Sequence, residues 1–189
     1  MNVTIRPATS DDLLSILDIV NHSILHTTAN YNYDIQTIEV QNKWFEDKQL
    51  HHFPVIVAER NGQVIGYGTY GTFREKIGYQ YTVEHSVYVD EKHTGKGIGK
   101  LLLQELIQLA KKQGYHTMIG AIDAENFDSI AFHKKFGFNS CSVDSTNKVI
   151  VVKKELGKFG VIVDDVNEVT TVNEEVIDYS SSVATIISK

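Results

Sequence analysis

A glycine-rich segment, Thr-Gly-Lys-Gly-Ile-Gly at residues 94–99, limits most strictly what this chain can fold into. It follows a β-rich run, Tyr79 to Val89, and precedes a run whose apolar side chains recur at helical spacing. Backbone N–H groups at the start of a helix form an anion site, and the helix dipole favours phosphate there. The segment predicts a strand, loop and helix that bind a pyrophosphate, although glycines also serve tight turns and close packing.

Two common nucleotide-binding patterns do not fit this segment. The Walker pattern requires Ser or Thr after its lysine, but Lys100 is followed by Leu101, and Thr94 stands where the first glycine would be. The dinucleotide fingerprint is G-x-G-x-x-G, whereas the glycines here give G-x-G-x-G. The segment is therefore neither a P-loop nor a Rossmann fingerprint.

The first half of the chain predicts a strand, two helices and a hairpin. Val3 to Arg6 alternates as a strand does, and Thr9 and Asp12 form a capping box before the first helix. Thr37 caps a second helix, whose inward side chains are predicted to be Val40, Trp44 and Phe45. Asn61-Gly62 between two β-rich runs predicts a type I′ hairpin.

Further strands and a short helix follow the glycine-rich unit, so the predicted order of elements is βααβββαβαββ. Antiparallel strands around a central β-α-β unit predict an α/β fold with a mixed, mostly antiparallel sheet. Residues 1–156 are predicted to form one domain. Residues 157–189, with six acidic residues and two lysines, form an acidic C-terminal extension that is either disordered or an arm reaching a partner subunit.

Composition excludes several classes of partner. The chain has 18 basic and 24 acidic side chains, a net charge of −6, and no basic stripe interleaved with aromatics, so nucleic acid is not expected as a partner. No apolar run approaches the length of a membrane span, and no signal peptide is evident. A single cysteine, Cys141, favours the cytoplasm. His22 and His26 lie four apart without a third ligand, so no metal site is predicted.

Three motifs resemble the GNAT superfamily of N-acetyltransferases. Residues 87–89 followed by 94–99 resemble its acetyl-CoA signature, with Thr94 in place of the usual Arg or Gln, and Lys96 or Lys100 as substitutes for the missing charge. Asn126 to His133, followed by Phe-Gly-Phe at 136–138, resembles the next motif. Thr82-Val83-Glu84-x-Ser86 after Tyr79 is similar to the branch that acetylates phosphinothricin and methionine sulfoximine.

The resemblance implies acetyl-CoA as cosubstrate, no metal, and a small-molecule amine as acceptor. A homodimer is a further expectation. The positions that it assigns to acetyl-CoA are Val87, Tyr88, Val89, Thr94, Gly95, Lys96, Gly97, Ile98, Gly99, Lys100, Asn126 and Ser129. Those that we expect to contact the acceptor are Tyr31, Arg74, Lys76 and Tyr79, where Arg74 and Lys76 suit a carboxylate; ordinary solvated loop charge is the alternative.

Acetyl transfer needs a neutral amine, a donor for the oxyanion and a proton for the departing thiolate. Glu84 lies on the strand before the glycine-rich segment, where partial burial would raise its pKa and suit it to proton removal; the alternative is an exposed glutamate paired with a basic side chain. The resemblance assigns Glu84 as general base, His133 as acid, and a backbone N–H around Ser86 to Val89, splayed by a bulge, to the oxyanion.

Two other functions stay open. One is an N-acetyltransferase for a peptide or a polyamine, and the other is a non-catalytic acyl-CoA-binding sensor. The chain departs from the branch after Phe138, because it lacks the Gly-Tyr-Lys-Phe and Trp-x-Asp segments that help to close the acceptor pocket. An acidic pocket beside Glu84 would favour polyamines, and a basic one would favour amino acids.

Overall fold

The computed structural model describes residues 3–30, 32–143 and 149–157. In this part of the chain the elements follow the predicted order. They are β1 (Thr4–Pro7), α1 (Leu13–His26), α2 (Ile38–Leu50), β2 (Val55–Arg60), β3 (Gln63–Thr72), β4 (Thr82–Val89), α3 (Ile98–Lys112), β5 (Thr117–Asp123), α4 (Phe127–Lys135), β6 (Asn139–Val143) and β7 (Val149–Glu155). The acidic extension predicted for residues 157–189 lies outside the described residues, apart from residue 157.

The strands form one sheet in the order β1-β2-β3-β4-β5-β7-β6. Among the strands in the described residues, only β4 and β5 run parallel, which confirms the predicted mixed sheet. Their pairing is short: it joins Thr82–Glu84 to Thr117–Ile119, although β4 continues to Val89 and β5 to Asp123. The two central strands therefore diverge after Glu84 and leave a gap in the middle of the sheet.

Each face of the sheet carries its own apolar cluster. The α3 face buries Leu102, Leu103 and Leu106 against Val83 and Met118. The opposite face buries side chains of α1 and α2 against β2 and β3, including Ile16, Phe45, Val57 and Tyr67. Among the described residues, no helix has the length and apolarity that crossing a membrane requires.

Several local predictions are confirmed and two are wrong. Asn61 and Gly62 have φ of 53° and 76°, as a type I′ hairpin requires. Val40, predicted inward, is 52% exposed, because α2 turns Gln41 and Phe45 towards the sheet instead. The strand predicted from Tyr79 begins only at Thr82, since residues 77–79 form a 3-10 turn.

A charged cluster fixes β1 to the start of α1. Arg6 donates hydrogen bonds of 2.7 and 2.8 Å to the two carboxylate oxygens of Asp12, and a third of 2.7 Å to Glu59 on β2. Asp12 also accepts a hydrogen bond of 2.8 Å from the backbone N–H of Thr9, which completes the predicted capping box. The cluster therefore joins β1 and the start of α1, which are neighbours in sequence, to Glu59 of β2, 53 residues after Arg6.

Replacing Asp12 with Asn is expected to lower the free energy of unfolding by about 2 kcal/mol at pH 7, because it removes charge-assisted hydrogen bonds to a buried carboxylate. The Arg6 hydrogen bonds hold the pKa of Asp12 below its usual range. The stabilisation is therefore present above the unfolded pKa and is lost as pH falls through the folded pKa. Urea denaturation at pH 7 and at several steps below pH 4 checks this, with the exposed Asp11→Asn as control; a difference that does not shrink from step to step would contradict the assignment.

Candidate active site

A cavity of about 1050 Å³ opens where β4 and β5 diverge. Its walls are residues 85–89 of β4, residues 120–123 of β5, the start of α3 and one side of α4. Thr28 and Ala29, from the connection between α1 and α2, also reach it. The gap in the sheet and the glycine-rich segment thus belong to one cavity.

The glycine-rich segment has the backbone conformation that an anion cradle needs. Gly95 and Gly97 have φ of +71° and +80°, and Gly97 is the N-cap of α3. A Cβ added at either glycine would meet nothing within 4 Å, so the space above the loop is open. The first N–H groups of a helix have no partner within the helix and can bind a ligand. The donors present here fit the pyrophosphate of acetyl-CoA.

The structure separates the two lysines that were considered for the missing charge at Thr94. Lys100 lines the cavity. Lys96 does not belong to its lining, and its ammonium donates a hydrogen bond to the backbone carbonyl of Lys92. The Thr94 hydroxyl donates to the carbonyl of Glu91 at 2.9 Å. Of the two lysines, Lys100 is the one placed to bind a phosphate.

Side chains alternate between the two faces of β4. Val87 lies on the α3 face, close to Gly68 and Leu106. Tyr88 lies on the opposite face, where its ring stacks on Tyr67 at 5.3 Å and its hydroxyl donates to the Ala29 carbonyl at 3.4 Å. Pairing between β3 and β4 runs without a register shift, so the predicted bulge is absent. The unpaired backbone beside the cavity arises because β5 leaves β4.

His133 lies on α4 at the cavity and is buried, with 7% of its surface exposed. Its Nδ1–H donates to the Ser129 carbonyl at 2.7 Å, which leaves Nε2 as an acceptor when the ring is neutral. Within the described part of the chain, Nε2 is buried without a hydrogen-bond partner. Burial lowers the pKa of His133, and the hydrogen bond to Ser129 opposes that shift.

His85 is a cavity residue that the motifs did not identify. Its ring stacks on His133 with centroids 5.1 Å apart, and both of its nitrogens are buried without a partner among the described residues. Burial, together with His133, lowers the pKa of His85 to about 3, so the ring is neutral at physiological pH. The sequence did contain one indication of this role. His85 directly follows Glu84 on a strand, so its ring must lie on the opposite face from the Glu84 carboxylate.

Glu84 is half-buried and lies outside the lining of the large cavity. Burial raises the pKa of its carboxyl group, while Arg74 and then Lys48 lower it. Because strand side chains alternate, Glu84 points to the face opposite His85 and its stacking partner His133. The structure therefore places the two predicted catalytic side chains on opposite faces of β4.

Three of the four predicted acceptor residues lie together. Arg74, Lys76 and Tyr79 line a smaller hollow of about 250 Å³, which Thr82 also borders. The Arg74 guanidinium carbon lies 5.6 Å from the centre of the Tyr79 ring. Tyr31 lies outside the described residues. Glu84 does not line this hollow, but Arg74 does, and its charge lowers the pKa of the Glu84 carboxyl group.

Two further predictions concern Asn126 and metal ions. The Asn126 side chain accepts a hydrogen bond of 3.0 Å from the Ser129 N–H, so it caps α4 as well as lining the cavity. In the residues that the structure describes, no group of three or more side chains suits a metal ion. His22 instead lies 3.0 Å from a Glu91 carboxylate oxygen.

A family model described as "Acetyltransferase (GNAT) family" matches residues 19–138. The chain is 44% identical, over 72% of its length and 80% of the relative, to an L-methionine sulfoximine/L-methionine sulfone acetyltransferase of Salmonella typhimurium. It is 33% identical, over 73% of its length and 75% of the relative, to a phosphinothricin N-acetyltransferase of Streptomyces viridochromogenes.

A solved structure is also similar to this chain and is likewise that of an acetyltransferase. A putative acetyltransferase from Salmonella typhimurium, determined with its cofactor acetyl-CoA, superposes with a TM-score of 0.80 at 36% identity, covering 84% of this chain and 96% of that one. A second family model, described as a CheW-like domain, matches residues 103–188. Its first part covers α3 from Leu103 onwards, β5 and α4, which belong to the sheet and cavity described above, and residues 158–188 lie outside the described part of the chain.

Proposed function

The chain belongs to the GNAT family of acetyltransferases, and we propose that it moves the acetyl group of acetyl-CoA to the α-amine of a small amino acid or analogue of the methionine sulfoximine or phosphinothricin type. The observation that carries the proposal is the glycine cradle at the start of α3, which opens onto the gap beside the strand that holds Glu84. The acceptor class is taken from the relatives, a methionine sulfoximine/methionine sulfone acetyltransferase and a phosphinothricin N-acetyltransferase.

Residues of this chain can hold acetyl-CoA along the whole cavity. The backbone N–H groups around Gly97 would bind its pyrophosphate, and Lys100 would add a positive charge. The backbone of β4 beyond Glu84, which β5 leaves unpaired, would bind its amide groups. When bound, acetyl-CoA supplies an electrophilic thioester carbonyl.

The two faces of β4 divide the proton transfers. Glu84, on the α1 and α2 face, removes a proton from the acceptor amine directly or through water, since a buried carboxylate with a raised pKa is a suitable base. His133, on the cavity side, gives the departing thiolate a proton that its Nε2 takes up from solvent, and Glu84 returns the amine proton to solvent, so that the protons balance over the cycle. A backbone N–H of β4 beside the gap stabilises the oxyanion. The acceptor and the cosubstrate then approach the strand from different sides.

The charges around Glu84 favour an amino acid over a polyamine. Arg74 and Lys48 both act on Glu84. Lys76 and Glu75 line the hollow that Arg74 borders, so three of these described side chains are cationic and two are anionic. A positive environment attracts the carboxylate of an amino acid and repels a polycation. Arg74 offers the planar pair of donors that binds a carboxylate in bidentate fashion.

Release of free coenzyme A from acetyl-CoA tests the acceptor class. We expect turnover with methionine sulfoximine, methionine sulfone or phosphinothricin, and none above background with spermidine or a peptide with a free amino terminus. Faster turnover with spermidine would reverse the acceptor assignment. Tight acetyl-CoA binding without turnover on any acceptor would support the sensor instead.

We also propose that the acetyltransferase domain spans residues 1–156. Supporting this boundary, β7 pairs with β5 along its whole length, and Leu156 is buried in the cluster under α3. A cytoplasmic location is supported by the single cysteine, Cys141, because one cysteine cannot form a disulfide within the chain. The homodimer that the family resemblance implies stays a prediction.

A further inference from the structure

Lys48 lies at the end of α2 and extends across the sheet beside Glu84. Its Nζ donates a hydrogen bond of 2.9 Å to the backbone carbonyl of Tyr70 and lies 5.3 Å from the centre of the Phe53 ring. Among the described residues, β2 begins at Val55, which pairs with Thr69, so the Tyr70 carbonyl lies just beyond that pairing. The ammonium is therefore held at a defined place on the sheet.

A glycine makes this position accessible. A Cβ added at Gly71 would lie 2.6 Å from the Lys48 Nζ, closer than real Cβ contacts occur. The φ of Gly71 is not positive, so the backbone conformation does not require glycine there. The absent side chain instead provides the space in which the ammonium crosses β3.

Register then brings the ammonium to Glu84. Gly71 and Glu84 are directly opposed on β3 and β4. Cβ positions of opposed residues are about 4.5–5.5 Å apart, so the Lys48 Nζ lies within roughly 8 Å of the Glu84 Cβ. Both side chains lie on the α1 and α2 face, where half-burial weakens screening by water.

We infer that Lys48 is a positioning residue for the base, whose ammonium, laid across Gly71, keeps the Glu84 carboxylate ionised. The inference rests on the proposed function, because it gives Lys48 its role through Glu84. Burial raises the pKa of Glu84, and only the ionised carboxylate can remove a proton from an amine. A nearby cation offsets that cost.

The other charged groups around the pair are few in the described part of the chain. Arg74 also lowers the pKa of Glu84, and Tyr88 on the same strand interacts with its charge. Burial lowers the pKa of Lys48, while Asp47 and Glu84 raise it. Arg74 is half-buried and lies over the Phe73 and Tyr79 rings, whereas Lys48 is held by its hydrogen bond to the Tyr70 carbonyl and by the space at Gly71.

The test compares Lys48→Met with Lys48→Arg in the full chain. We expect Lys48→Met to raise the titration midpoint of the Glu84 carboxyl by about one pH unit, measured by carbon-13 NMR and assigned with Glu84→Gln. The acid limb of kcat/KM should move by the same amount, with the plateau at high pH unchanged. Lys48→Arg, which keeps the charge, should restore the wild-type midpoint.

Two further variants separate charge from structure. Gly71→Ala should displace the ammonium and raise the midpoint in the same direction without removing any charge. Lys43→Met, at an exposed position on α2, should leave it unchanged. A lower Tm with an unmoved midpoint in Lys48→Met would overturn the inference. Lys48 would then have only a structural role, through its hydrogen bond to the Tyr70 carbonyl. NMR needs no turnover, so the midpoint can be measured even if the wild-type protein acetylates no acceptor. A shifted midpoint in Lys48→Met together with an inactive wild type would contradict the proposed function and not the inference.

Discussion

Replacing Glu84 with Gln is expected to lower kcat/KM for the best amino-acid acceptor by roughly 10²- to 10⁴-fold, the usual contribution of a general base. Glutamine keeps the size of the side chain in its half-buried place on β4 but does not accept a proton at neutral pH. The dissociation constant for acetyl-CoA should stay the same, since Glu84 does not line the cosubstrate cavity. Release of coenzyme A and calorimetric titration measure the two quantities.

The pH dependence gives a second test of Glu84. The base acts when ionised, so kcat/KM should rise with pH through the pKa of Glu84, which burial places above its ordinary value of 4.5. Glu84→Gln should lose this limb. Glu105→Gln, at an exposed position on α3, is the matched control and should keep both the rate and the limb. A Glu84→Gln enzyme with at least a tenth of the wild-type kcat/KM would show that the amine loses its proton elsewhere.

Local signals were sufficient to predict the elements of the fold. The Asn61-Gly62 turn needs two residues with positive φ, and few residue pairs other than this one adopt that conformation easily. The capping box of Thr9 and Asp12 and the cap of Thr37 each depend on residues three apart in sequence. Such signals require no knowledge of the sheet, so they could be interpreted directly.

Pairing between distant strands was not accessible in the same way. β7 inserts between β5 and β6, and β4 pairs with β5 over three positions only. Nothing in the sequence of β4 marks the residue at which β5 departs from it. The backbone N–H for the oxyanion was therefore attributed to a bulge in β4, whereas β4 follows β3 without interruption.

Contacts between site residues that are distant in sequence could not be predicted either. Glu84 and His133 were identified from motifs, but the stack of His85 on His133 joins residues on β4 and α4. Lys48 reaches Gly71 from a helix 23 positions earlier in the chain, and a lone lysine on a helix resembles any solvated one. The prediction for Val40 failed because α2 turns a polar residue, Gln41, towards the sheet.

Replacing Gly97 with Val is expected to raise the dissociation constant for acetyl-CoA by about 100-fold, equivalent to roughly 2.7 kcal/mol. A left-handed conformation costs an L-residue about 1–2 kcal/mol, so the free loop of the variant would relax away from the cradle and binding would have to restore it. The new side chain would also occupy space that is open in the native loop. Calorimetric titration with acetyl-CoA measures the change.

Gly62→Val is the matched control for this effect. Gly62 has a φ of +76°, close to the +80° of Gly97, and a Cβ there also meets nothing within 4 Å. Both variants should lose similar stability in urea, but Gly62 lies in the β2–β3 turn, outside the cavity lining. Only Gly97→Val should weaken acetyl-CoA binding, and Gly97→Ala should weaken it less. Equal affinities for the two valine variants would mean that the pyrophosphate is not bound by the N–H groups that Gly97 presents.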